Sequence, residues 1–192
     1  GVSISLSAVF TLLLYLIKLP ISLVGLISCY LLWLGLITWG LLRKHDIKPN
    51  WRWLGAGLFF IGLVAWRMWQ ARALVLPAWV DSLHHVLIVR KMLEAGGLME
   101  TLSPYLPGPF YYHFAFHAFA AQFAALSGLP PAQAVLILGQ LLNAAVGLSV
   151  YHLAKTLSKD WRMAGLAALL VTFATKMPAY YLSWGRYTLL TG

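Results

Sequence analysis

Residues 132 to 154, AQAVLILGQLLNAAVGLSVYHLA, run without a single Asp, Glu, Lys or Arg. About 20 apolar residues rising 1.5 Å each are what a helix needs to cross roughly 30 Å of hydrocarbon, so this stretch reads as a transmembrane helix. Further apolar segments flank it at 163–178, 110–127, 53–73, 21–42 and 3–17. The chain of 192 residues is 61% hydrophobic and 10% charged, against roughly 45–50% and 25% in soluble globular domains. The composition therefore predicts an all-α, polytopic transmembrane helix bundle, integral and multi-pass; its expected location is a bacterial or archaeal cytoplasmic membrane. The net charge of +9 raises the question of nucleic acid. The bases sit at the ends of apolar runs and form no stripe, which is the pattern of membrane topology and excludes a nucleic-acid partner.

The segments organise around their punctuation. Lys18-Leu19-Pro20 leaves room only for a tight turn, so residues 1–42 are expected to form a transmembrane helical hairpin. Residues 43–52 hold Arg43, Lys44, Lys48 and Arg52 and are assigned to the cytoplasm by the positive-inside rule. Residues 53–192 then form a transmembrane core with an extracytoplasmic loop over 74–109. If 110–127 and 132–154 both crossed fully, the basic loop 155–162 would lie outside; the expectation is that 110–127 enters the membrane without crossing. Cys29 is the only cysteine and lies in an apolar run, which excludes a disulfide framework and a thiolate metal site and marks it as a small core residue. A chain that starts at Gly1 and stops at Gly192 is expected to be a piece of a longer protein.

The richest segment for chemistry is 77–97, PAWVDSLHHVLIVRKMLEAGG. At 100° per residue, Asp81, His84, His85, Ile88 and Met92 fall on one face and Leu83, Val86, Leu87 and Leu93 on the other. This predicts an amphipathic interfacial helix over 79–95, closed by Gly96-Gly97, in the first large extracytoplasmic loop. Asp81 either points into a pocket with the histidines or caps the helix. His113 and His117 stand four apart, so they share a face, and Ala120, Ala121 and Ala124 continue it toward close helix contact. Asp81, His84 and His85 supply the nitrogen and carboxylate donors a divalent metal accepts, which makes such an ion the candidate cofactor. Ser103-Pro104-Tyr105-Leu106-Pro107-Gly108-Pro109 has the composition of a pocket wall, and Gln140, Asn143, Gly147 and Tyr151 read as an interhelical hydrogen-bonding face. Lys176, Tyr180, Tyr181, Trp184, Arg186 and Tyr187 gather at the end of the last apolar segment, where Arg186 has the planar fork that takes a phosphate. Phosphate-loop, nucleophile-elbow and haem-attachment motifs are absent from the sequence, which argues against cytoplasmic nucleotide chemistry.

Asp81 ahead of a helix running to Gly96-Gly97, the aromatic and histidine entry from Tyr112 to His117, and Tyr151-His152-Leu153-Ala154-Lys155 before a short polar loop together resemble the GT-C superfamily of membrane glycosyltransferases. The likeness spans about residues 53–187 and includes protein mannosyltransferases and oligosaccharyltransferase catalytic subunits among its types. It implies transfer of a sugar from a polyprenyl-phosphate or polyprenyl-diphosphate carrier to an acceptor on the extracytoplasmic face, with Asp81 as the catalytic base or the residue that orients the acceptor. The implied partners are the lipid-linked donor and membrane lipids. Candidate contacts to substrate and phosphate are His84, His85, Arg90, His113, His117, Arg186, Arg67 and Arg72. The family often carries a second acid in a later outer loop, and residues 177–192 contain none, so that acid lies beyond Gly192 or the chain is a divergent relative. The rival class is a noncatalytic subunit bound to membrane-protein partners, with His113, His117 or His152 ligating a haem or chlorophyll.

Overall fold

A computed structural model of the chain describes residues 2–20, 23–43, 51–177, 179–183 and 185–190. Helices α1 (Val2–Leu16), α2 (Leu23–Arg43) and α3 (Trp51–Ala71) precede α4 (Val80–Ala95). Two short strands, β1 (Thr101–Leu102) and β2 (Leu106–Pro109), follow, and then α5 (Ala115–Ser127), α6 (Pro131–Ser158), α7 (Trp161–Leu169) and α8 (Ala179–Ser183). A π-helical turn at Leu170–Ala174 continues α7, and a 3-10 turn at Tyr187–Leu190 closes the described chain.

Local chemistry explains most of these boundaries. Asp81 lies in the first turn of α4, where a carboxylate meets the positive end of the helix dipole. At the other end Gly96 is left-handed at φ 65°, and the N–H groups of Gly96 and Gly97 donate to the carbonyls of Leu93 and Met92 at 3.2 and 3.0 Å. Pro131 opens α6, where its missing N–H costs nothing. Asp160 caps α7 by accepting from the Arg162 N–H at 2.8 Å, so α6 and α7 form a hairpin across Lys159-Asp160.

The core sits where α4, α5, α6 and the closing turns meet. Ile88, Val89 and Met92 of α4, Phe116, Ala120 and Ala121 of α5, and Val135 and Leu138 of α6 pack there with Leu182 and Tyr187. The alanines of α5 admit this close approach. On the other side of α5, Gln122 is held by both N-terminal helices. Ser7 Oγ and Tyr30 Oη donate to its Oε1 at 2.6 and 2.9 Å, and its Nε2 donates to Thr11 Oγ1 at 2.7 Å. A buried amide with every group matched fixes the register of three helices.

Two expectations are corrected. The polytopic, multi-pass bundle is not what the described residues form: α6, with 28 residues, is alone among them in being long and apolar enough to cross a membrane. At 1.5 Å per residue it is about 42 Å long. Among the described residues, the apolar stretches Ser7–Leu16, Gly25–Gly40 and Trp161–Ala174 are each shorter, at 10–17 residues. α5 has 13 residues, about 20 Å of helix, and α3 buries Arg67. Helix α6 is itself half buried within the protein. An apolar run has the same signature whether it faces lipid or its own neighbours. One long apolar helix, with Leu31, Leu34, Ile61 and Trp69 exposed on α2 and α3, fits association with a membrane.

The chain is also not wholly helical. Residues 101–109 form an antiparallel hairpin with Thr101 opposite Pro109 and Leu102 opposite Leu106. The basic segment 44–50, the side chain of Cys29 and Trp184 lie outside the described residues.

Candidate functional site

Asp81 and Arg186 open onto one cavity of about 710 Å³, formed between the start of α4, strand β2, residues 110–113 and the closing turn. His84, His85 and His113 also line it, and the Leu106–Pro109 strand makes its wall. The Arg186 Nε stands 3.7 Å from Asp81 Oδ2, with the side chains 52% and 43% exposed. A pair this open and this long is worth about 0–1 kcal/mol. Either partner can leave the other for a ligand at little cost.

Gly185 sets the pair. Its φ is +68°, and a Cβ there would stand 2.9 Å from the Ser82 N and 3.0 Å from the Asp81 Cβ. A residue without a side chain is required for the closing turn to lie against the first turn of α4. The same glycine anchors the turn, because His85 Nε2 lies 2.8 Å from its carbonyl oxygen.

Behind the cavity, His85 and His117 form a buried dyad, with His85 Nδ1 2.8 Å from His117 Nε2. Since a carbonyl only accepts, His85 carries its proton on Nε2 and donates to Gly185. Its Nδ1 then accepts from His117 Nε2–H. His117 Nδ1 is left facing the His113 carbonyl oxygen at 3.2 Å, the longest of the three contacts. Protonating it would complete a third bond, but burial, followed by the neighbouring His85, holds the His117 pKa down to about 3. Burial lowers His85 as well. The dyad is neutral at ordinary pH. Tyr187 packs edge-on to His85 at 5.8 Å and stacks on Phe116 at 5.7 Å, and burial pushes its hydroxyl up to about 12. That hydroxyl lies near Ser82 with no hydrogen bond of normal geometry.

The α4 face read from the helical wheel is present in large part, since Asp81, His84, His85 and Ile88 line the cavity and His85, Ile88 and Met92 are buried, but it is broader than that reading. Ser82, His85, Ile88, Val89 and Met92 point inward, whereas His84 is exposed at the cavity mouth. Neighbours 100° apart on a helix do not share a target, and α4 has the core on one side and the cavity on the adjoining one. Asp81, His84 and His85 accordingly do not converge on a metal, since both ring nitrogens of His85 already face protein partners. Among the described residues no group of three or more His, Cys, Asp or Glu side chains could hold a metal ion. Asp81 is not the N-cap either: Trp79 holds that position at φ 75°, with no side-chain capping bond.

The candidate phosphate ligands separate. Arg186 lines the cavity and Arg90 does not, being paired with Glu94 at 2.8 Å on the exposed side of α4. Arg72 lies over the Trp69 ring at 3.9 Å. Arg67 is buried on the far side of the Tyr187 turn, where its Nη2 donates to the Thr172 carbonyl at 2.7 Å. His152 is exposed on α6 and lines no part of the site. His117 has both ring nitrogens within reach of protein acceptors or donors, which leaves neither directed at a haem or chlorophyll. Gln140 and Asn143 are buried without the interhelical hydrogen bonds expected of them, and line a second, smaller cavity. Sequence reasoning missed Gly185 and Ser82. The signal available was a glycine directly before the one arginine of an aromatic cluster. No protein-family model, curated protein or solved structure matches this chain.

Proposed function

We propose that the Asp81 cavity is the transfer site of a glycosyltransferase that takes its sugar from a polyprenyl-phosphate or polyprenyl-diphosphate carrier. The observation that carries the reading is a carboxylate and a guanidinium 3.7 Å apart, both half-exposed and both facing one open cavity. The resemblance of Asp81, Tyr112–His117 and Tyr151–Lys155 to GT-C enzymes supports it, and so does the long apolar helix, which fits a substrate held in a membrane. In the transfer, Asp81 takes the proton of the acceptor hydroxyl and that oxygen bonds to the anomeric carbon. The bond from the anomeric carbon to the phosphate oxygen breaks, and the phosphate leaves with the electron pair. Arg186 receives the charge that develops on the departing phosphate. His84, His113 and Tyr112 stand on the cavity wall where sugar hydroxyls need partners.

The test is release of carrier phosphate from a set of polyprenyl-phosphate hexoses by the protein in membranes. Asp81→Asn keeps the shape and loses the basic oxygen, and loss of a positioned base costs about 10² to 10⁴ in rate. We expect that drop with folding unchanged, and a raised KM for donor in Arg186→Gln. Turnover indifferent to Asp81→Asn removes the carboxylate from the chemistry, and no donor consumption by the parent protein overturns the reading.

A further inference from the structure

The second cavity, about 150 Å³, lies across the Tyr187 turn from Asp81. Three of its lining side chains each bury a polar atom without a hydrogen bond of normal geometry: Arg67 Nε, Asn143 Oδ1 and Tyr187 Oη, the last beside Ser82. Arg67 and Asn143 are 4% exposed and Tyr187 is 0% exposed. Arg67 is tethered at two of its five N–H groups, with Nη2 donating to the Thr172 carbonyl at 2.7 Å and Nη1 to Gln70 Oε1 at 3.1 Å. These acceptors are dipoles and do not cancel a full charge. Asp81 pairs with Arg186, Glu94 with Arg90 and Lys91, Glu100 accepts from Tyr15, and Asp160 caps α7. No acid among the described residues is left for Arg67. An unpaired buried cation is expensive, and an anion is what relieves it.

We propose that this cavity binds a phosphate group, presented either as free phosphate or as the headgroup of an anionic lipid. The three orphan atoms ask for two acceptors and one donor: the guanidinium and the tyrosine hydroxyl need oxygens to donate to, and the Asn143 carbonyl needs a hydroxyl. A carboxylate provides only the first. A protonated phosphate, or a phosphate diester with a hydroxyl on its alcohol, provides both. The volume is roughly ten times what one water-sized sphere occupies, enough for a phosphate. The site is separate from the Asp81 cavity and does not depend on the transferase reading.

Thermal unfolding of the detergent-solubilised protein, with inorganic phosphate against chloride at equal ionic strength, tests the free ion. Unfolding in bilayers of phosphatidylglycerol against phosphatidylcholine tests the headgroup. A ligand that binds only the folded state raises the midpoint in a saturable way. Arg67→Gln should lose the response, but it also releases Thr172 and can fail to fold. Asn143→Asp avoids that difficulty by placing a carboxylate inside the cavity. We expect it to raise the midpoint without ligand and to weaken phosphate or phosphatidylglycerol binding at least about tenfold. A response to inorganic phosphate identifies the free ion, and one confined to phosphatidylglycerol identifies the lipid. A midpoint indifferent to both, or a response that survives Asn143→Asp, overturns the proposal.

Discussion

His117 shows how far one side chain can be moved from its solution behaviour by what surrounds it. It is fully buried, and its pKa falls from 6.5 to about 3. Above about pH 6.5 the folded and unfolded chains bind the same number of protons here. As pH falls from there toward about 3, the unfolded chain takes up a proton that the folded chain refuses, so folded stability drops by up to about 1.4 kcal/mol per pH unit. His85 is shifted in the same direction and adds to the slope. A fall in the unfolding midpoint between pH 6.5 and 4, flattened in His117→Gln, is the expected result. A midpoint flat over that interval in the parent would mean that the dyad is already charged in the folded state.

At the level of elements, α6 owes its contact with the closing turn to Gly139. A Cβ there would sit 2.3 Å from Tyr187 Cε1 and 2.9 Å from Leu182 Cδ2. Alanine is favoured over glycine within a helix by about 1 kcal/mol, whereas forcing a methyl into a filled contact costs about 1–3 kcal/mol and the ring cannot yield by a whole ångström. The clash wins: Gly139→Ala is expected to destabilise the fold by up to about 2 kcal/mol net and to displace Tyr187, measurable by denaturant unfolding. The elements also show what could be read in advance. The helix expected over 79–95 is observed as Val80–Ala95, with its stop at Gly96, because a left-handed glycine and a short-range dipole are local matters. Which of His84 and His85 turns inward was not legible, because it depends on α5 and the closing turn, which reach His85 from 32 and 100 residues away. Arg67 is the same kind of case. It reads as a basic residue near the end of an apolar run, yet its surroundings come from the π-turn carbonyl of Thr172, 105 residues on.

For the molecule as a whole, α6 acts as a ruler. The Asp81 site adjoins it at Gly139, through Tyr187, and the Lys155–Arg162 turn closes its other end. The 20 residues from 139 to 159 span about 30 Å, which is the thickness of the hydrocarbon layer. If α6 spans, Asp81 and the basic turn face opposite compartments, with the turn cytoplasmic. Cysteines placed at Ser103 and at Lys159 in a Cys29→Ser background should then react with an impermeant maleimide from opposite sides of sealed vesicles. Labelling of both from one side would show that α6 lies within one compartment. The number of crossings was misread from sequence for a reason at this same scale: hydropathy records what a segment is made of, and burial against α3, α5 and α7 is decided by the rest of the chain.

The bond from His85 to the Gly185 carbonyl joins residues 100 apart, while the bond from His85 to His117 joins residues 32 apart. Translation at about 5–20 residues per second makes these contacts available several seconds apart. On the ribosome α4, α5 and α6 can therefore gather with His85 Nε2 still wet, the cavity unroofed and Asp81 without its arginine. The site is closed only after the helices that hold it have been made, and a nascent chain released before residue 185 is a helical assembly that has no charge pair to work with.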